Sequence, residues 1–351
     1  MIIAKLKKIP RLLSIRILSF FLVIAVVSCE TKTDQSARPV PREEKEKATP
    51  VHIRRFDRDL FALKRGYGRR TVDSLNLDYG GFLRKFTQQV INIGDSSNPQ
   101  YYRALADFLA DPYINSVERD VDSVFKDMRN EELALGEAFR AYHYFFPQSK
   151  IPNIIAYTGG FNYQIGVWPE ELGIGLEFYL GSRHRFYRLL GYPSYKQRIL
   201  QREYLVPDVL RAWMSTEFEM PGKAKKFIDQ IVFEGKIQYL IDQMLPDTED
   251  SLRTGYSGKH LAWLQSEEKQ IWSFFIDKKL VFKPISFETD KFLNEGPFTP
   301  GMPRESPGRI GVWIGRQIIR SYMQKHPETS LLQLMKADAS KLFSQSGYKP
   351  R

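Results

Sequence analysis

Residues 151–181 read IPNIIAYTGGFNYQIGVWPEELGIGLEFYLG, and the fold turns on how they are read. From Leu172 to Leu180 every even position is large and apolar: Leu172, Ile174, Leu176, Phe178 and Leu180. The odd positions are Gly173, Gly175, Glu177 and Tyr179. That period of two predicts a half-buried strand over the whole stretch. A second extended run, Ile154 to Tyr157, opens after Pro152-Asn153 and closes at Gly159-Gly160. Trp168, Pro169, Glu170 and Glu171 supply a polar turn between the two. Gly173 and Gly175 leave the second strand's other face bare. Interior strand glycines mark a bulge or the close approach of another element, so a helix packed there and a binding groove both fit.

Outward from this pair, the pattern is helical on both sides. Val51, Ile53 and Phe56 with Leu60 and Phe61 suggest a short strand entering a helix. Leu75, Tyr79, Phe82, Phe86 and Val90 are spaced by threes and fours, which predicts one amphipathic helix from Thr71 to Ile93. Helices are also expected at Tyr101–Leu109 and Val117–Phe146. Further on they are expected at Ser194–Phe218 (with Pro207 as an interruption), Ala224–Met244 and His260–Asp277. Pro246 to Gly258 reads as a polar loop. Glu288 to Gly308, with four prolines and three glycines, reads as a long irregular one. Gly308, Gly311 and Gly315 form a stripe of small residues on a helix that should stop at His326-Pro327. Ser330 or Thr329 then starts another helix, and Asp338 caps the last. The expected class is α+β, predominantly helical with a small antiparallel or mixed sheet.

At the other end, Met1 to Arg16 holds five basic residues and no acid, and Ile17 to Val27 is an apolar run broken only by Ser19. This is a secretory leader, shorter than the about 20 residues of a membrane span. It ends Val26-Val27-Ser28-Cys29, the pattern of a lipoprotein box in which Cys29 becomes acylated. Cys29 is the only cysteine, so no intramolecular disulfide and no cysteine metal site can form. Residues 30–50 combine charge and proline with little apolar content and read as a flexible tether. The expected division is a signal peptide at 1–28, lipidated Cys29 and tether at 29–50, and one globular domain at 51–351. The lipid bilayer, reached through Cys29, is the first expected partner. Removing the leader lowers the formal net charge from +11 to +6, with bases scattered among acids. No nucleic-acid motif is present, and export argues against such a partner.

No catalytic signature stands out. His52, His143, His184, His260 and His326 lie at no metal-ligand spacing, and HExxH, GxSxG and phosphate-loop motifs are absent. No metal or cofactor is therefore expected. Glu203, Asp208, Glu217 and Glu219 read as a solvated helical face.

The order PNIIAYTGGFNY, an acidic turn, then LGIGLEFYLG resembles the gliding motility lipoprotein GldB family. YLVPDVLRAWMSTEF (204–218) and PGRIGVWIGRQIIRSYMQKHPETSLLQLM (307–335) fit the same pattern. The resemblance implies a non-catalytic envelope lipoprotein, needed for gliding motility and the associated type IX secretion machinery and working with other proteins of that machinery. A weaker similarity is to gluzincin-type zinc peptidases. In those, an HExxH helix precedes a helix whose glutamate completes the metal site. Phe233-Glu234-Gly235 has the look of the second element, but QREYLVPDVLRAW (201–213) carries no histidine. The similarity thus implies a degenerate zincin-like fold without its metal. The competing reading is a hydrolase of peptides or cell-wall polymers acting through Glu177 and Glu234. A surviving cleft would use the strand of Gly173, Gly175 and Glu177 as a pairing edge, with Tyr157, Asn162, Tyr163 and Trp168 along its rim.

Overall fold

The computed structural model describes residues 51–66, 68–220 and 225–350, all within one compact unit. The expected leader, Cys29 and tether lie outside the described residues.

The chain enters through β1 (Ile53–Arg55) and α1 (Phe56–Ala62), then α2 (Arg69–Asp78), α3 (Tyr101–Ala110), α4 (Pro112–Val124) and α5 (Arg129–Phe145). Next come β2 (Asn153–Tyr157), β3 (Ile165–Trp168) and β4 (Glu171–Gly175). The second half is α6 (Leu205–Glu217), α7 (Phe227–Met244), α8 (Gly258–Ser266) and α9 (Glu268–Asp277). It closes with α10 (Ile310–Lys325), α11 (Leu331–Lys336) and α12 (Ala339–Ser346). Helices shorter than six residues are left unnumbered.

The four strands lie in the order β1-β2-β4-β3, parallel except for the β3–β4 hairpin. The sheet is mixed, and the protein is predominantly helical, as its sequence predicts. Alternation sends Ile53, Ile154, Ala156, Leu172 and Ile174 into the main core, where α4 to α7 and α10 pack. Ile155 and Tyr157 point the other way, into a smaller core of Phe56, Leu60, Phe82, Phe86 and Leu105. One strand thus serves two cores, and the sheet is covered on both faces.

The long strand predicted from Leu172 to Leu180 stops at Gly175. Leu176–Tyr179 is a turn of 3₁₀ helix, and Leu180 makes only an isolated bridge to Gln201. β4 is not half-buried either: all five of its residues are buried, and it has a neighbour on each edge. Its alternation arises because the second face admits only glycine. A Cβ on Gly173 would lie 2.8 Å from the Tyr157 ring and 2.9 Å from the Trp168 ring. Those rings fill the bare face, backed by Phe82 and Phe86. The stretch before the hairpin's turn is the edge strand β3, and of the expected turn Trp168–Glu171 the two outer residues end β3 and begin β4.

Several expected helices are shorter. The one predicted over 71–93 breaks at Gly80 and Gly81 (φ +59° and +88°), then resumes as a short helix and a π turn. Val117–Phe146 is two helices parted at residues 125–128. Of Ser194–Phe218 the main part is α6, where Pro207 sits in the first turn, a place that loses no hydrogen bond. The 260–277 helix divides at Glu267, and the Pro246–Gly258 loop contains a helical turn, Asp250–Thr254. The C-terminal reading holds: Ser330 and Asp338 cap α11 and α12 with their side chains.

Candidate functional site

Six of the seven residues expected along a cleft form a structural knot at the top of the sheet. Tyr157 is wholly buried and its hydroxyl donates to the Tyr163 carbonyl at 2.7 Å. Asn162 donates from Nδ2 to the carbonyls of Val90 and Gly159, both at 3.0 Å. Trp168 donates from Nε1 to Gln89 at 2.7 Å. Gly175 has the Tyr163 carbonyl oxygen 2.6 Å from where its Cβ would be. Glu177 is fully buried, and its Oε1 accepts from the amides of Gly159 (2.7 Å) and Phe161 (3.1 Å). Those two amides flank a left-handed pair, Gly160 and Phe161, at φ +74° and +66°. The carboxylate therefore shapes this turn. Burial pushes its pKa up to about 7 against the pull of these amides, and its Oε2 is enclosed without a partner. Tyr163 alone of the seven offers a large exposed ring. The premise of a pairing edge also changes: β4 is interior, and β1 and β3 hold the edges.

A different group of side chains makes the more chemically capable site. It centres on Asp208, which sequence reasoning placed on a solvated face. The first turn of α6 packs Asp208 under the loop before β3 and the 3₁₀ turn after β4. Its Oδ2 accepts from Gln164 Nε2 at 2.9 Å and from the Tyr179 hydroxyl at 3.2 Å. Gln164 and Tyr179 are themselves 3.0 Å apart, closing a triangle. Burial pushes the Asp208 carboxyl up to about 7, while Arg211 and Arg309 favour its charged form and Glu295 opposes it.

Arg211 stands nearly one turn along α6. Its Nη2 donates to Gln238 (2.6 Å) and to the Arg253 carbonyl (3.1 Å) of the neighbouring elements. Its Nη1 is buried with no hydrogen-bond partner. Burial and the nearby Arg309 lower its pKa to about 10, opposed by Glu234, Asp208 and Tyr256. Glu234 comes from α7 and Arg309 from the left-handed residue that starts α10. Tyr256 donates its hydroxyl to the Arg309 carbonyl at 2.7 Å, and its own pKa is pushed up to about 12 by burial.

The structure thus brings together α6 and Glu234, the two elements singled out by the peptidase similarity, and sets a guanidinium in the field of both carboxylates. A divalent cation placed there would meet the charges of Arg211 and Arg309, which argues against a metal centre of the zincin kind. Among the described residues, no group of three or more His, Cys, Asp or Glu is arranged to hold a metal. What the site offers is a carboxyl that titrates near neutrality beside a tyrosine hydroxyl, and two arginines suited to carboxylates or other planar anions. The sequence signal for it was thin. The spacing of Asp208 and Arg211 is shared by many surface helices, and Gln164, Tyr179, Tyr256 and Arg309 are distant in the chain.

The family model described as "Gliding motility protein GldB" matches residues 38–350. No curated protein and no solved structure matches the chain. The family match runs through every described element, and the chain belongs to the GldB family.

Proposed function

We propose that this GldB family member is a membrane-anchored envelope lipoprotein, a non-catalytic component of gliding motility and of the type IX secretion machinery associated with it. The observation that carries the reading is the extent of the family match, residues 38–350, from within the tether to the last helix. Acylated Cys29 holds the protein on its membrane, and residues 29–50 set the globular domain, 51–351, off from it. Among the described residues no helix is long and apolar enough to cross a membrane. The Asp208–Arg211–Glu234 cluster serves as a place for a partner's chain, with Asn162, Tyr163 and Trp168 beside β3 as further contacts.

One observation favours a second reading, a hydrolase. Asp208 titrates close to neutral pH next to Tyr179, as a general acid or base would. The two readings separate by experiment. Under the binding reading the purified protein cleaves neither peptides nor cell-wall polymers, and Asp208→Asn with Glu234→Gln weakens gliding through lost partner contact alone. Turnover of either polymer by the wild-type protein, lost in a double variant that still folds, would establish catalysis by these carboxylates instead. Cys29→Ala tests the anchor in parallel: the protein should no longer take up labelled fatty acid, and gliding should fail. A Cys29→Ala chain that is still labelled overturns the anchoring.

A further inference from the structure

The segment after α9 buries Leu280 and Val281 but turns two phenylalanines outward. Phe282 is 58 % exposed and Phe287 is 91 % exposed, and Ile276, at the end of α9, is 49 % exposed. A phenylalanine turned to water forfeits the gain of burial, so two within six residues call for an occupant. The surrounding backbone fixes where they stand. The Ile285 amide donates to the Lys225 carbonyl at 2.9 Å and the Phe227 amide to the Lys283 carbonyl at 2.9 Å, joining this segment to the start of α7. Lys283 pairs with Glu288, which ties together the two stretches that carry Phe282 and Phe287.

The bases near them in the chain are all lysine. Lys278, Lys279, Lys283 and Lys291 lie on this segment and Lys225 and Lys226 just before α7, and between Ser273 and Pro303 there is no arginine or histidine. The Lys226 ammonium lies 5.7 Å over the Phe282 ring, and that of Lys291 lies 4.9 Å over Phe292. The acids nearby are Asp229, which accepts from the Lys225 and Lys226 amides, Asp277, Glu288 and Asp290. Glu288 is taken up by Lys283, and Asp290 accepts from Gln230. Lysine is depleted and arginine enriched where proteins bury one another, and three apolar side chains fall short of the about 800 Å² per partner of a stable interface. Lysine at a lipid headgroup layer keeps its ammonium in water while its stem lies along apolar surface, and each is attracted to an anionic leaflet. Phenylalanine beside such lysines is suited to the boundary between headgroups and acyl chains.

We propose that this loop is a second membrane contact: Phe282 and Phe287 enter the interface of an anionic bilayer, with the six lysines on its headgroups. The contact is separate from the anchor at Cys29, and it would fix which face of the protein the bilayer covers.

The lone cysteine makes the test direct. In the full chain carrying Cys29→Ser, Phe287→Cys gives a single site for an environment-sensitive NBD label. Leu77→Cys, at a position 80 % exposed and remote in sequence, gives a control. Each is mixed with vesicles of phosphatidylcholine alone, or with 30 mol % phosphatidylglycerol, with and without a nitroxide-labelled lipid. Every variant is compared on its vesicle-bound fraction, recovered by flotation, so only the label's surroundings differ, and the absence of any bound fraction overturns the proposal. The expected result is a blue-shifted emission and at least twofold stronger nitroxide quenching at 287 than at 77 on the anionic vesicles. Lys278→Glu with Lys279→Glu should reduce the effect by more than half. A label at 287 that stays as water-exposed as the one at 77 overturns the proposal. So does one that is shielded equally without lipid, which would place a second copy or another protein on the loop. Neither failure bears on acylation of Cys29.

Discussion

Burial favours the proton-bound form of both Glu177 and Asp208, pushing each pKa up to about 7. A carboxyl raised in this way stabilises the folded state fully below its unfolded pKa, near 4, and that contribution is lost as the pH rises through 7. For Glu177 the shift from 4.5 to about 7 corresponds to roughly 3 kcal/mol between the two ends of the window. The protein should therefore melt at a higher temperature at pH 5 than at pH 8. Glu177→Gln keeps an oxygen for the Gly159 and Phe161 amides and removes the titration, so its melting temperature should change less across that range. Parallel melting curves for the two proteins would show that Glu177 is ionised throughout. Of these two residues the sequence singled out Glu177, by its place in an alternating strand, and read its role as a cleft carboxylate. Its burial depends on the 3₁₀ turn that replaces the strand after Gly175, and a period of two cannot distinguish the two conformations at that length.

The helix crossing at the centre of the main core shows what a pattern of small residues can and cannot reveal. Gly311 and Gly315 were legible as a stripe where another element comes close. The partner's contribution, Gly235 of α7, was not, because it lies in a helix that is buried almost all round, polar side chains included, and shows no one-sided stripe. A Cβ on Gly315 would fall on the Ile231 carbonyl, and one on Gly235 would meet the Gly315 backbone. Neither obstacle is a side chain that can rotate away. Gly315→Ala should cost about 3 kcal/mol or more, read as a lower urea midpoint or as failure to fold. Gly258→Ala is the matched control. It sits in the first turn of α8 with nothing within 4 Å of its Cβ, and should be neutral or stabilising by a few tenths of a kcal/mol. Equal destabilisation by both substitutions would mean that the α7–α10 contact is looser than the structure has it. The same crossing carries the deepest ion pair: Arg316 donates to Asp242 at 2.7 and 2.8 Å, with both residues buried. The sequence hid it because Arg316 and Asp242 are 74 residues apart on two helices.

At the scale of the whole molecule, the sheet is the joint between two cores, and β2 is the element that belongs to both. Ile154 and Ala156 face one core, Ile155 and Tyr157 the other, so neither core can open without stripping one face of the same strand. Thermal unfolding of the described domain should accordingly be a single cooperative step. Hydrogen exchange would then rank the strands by their place in the sheet. β4 has β2 on one side and β3 on the other, and its amides should exchange only through global unfolding. β3 is different. The Gly175 amide donates to the Gln164 carbonyl at 2.9 Å, which marks 164–175 as a hydrogen-bonded pair and, by alternation, 166–173 and 168–171 after it. The backbone groups of Ile165 and Val167 therefore face the open edge, where no strand follows. Their amides should exchange faster than those of Gly166 and Trp168 by at least tenfold, with residues 171–175 slowest of all. Exchange at 171–175 as fast as at Ile165 would put the edge of the sheet at β4, and two separate melting steps would show that the cores are held by something other than β2.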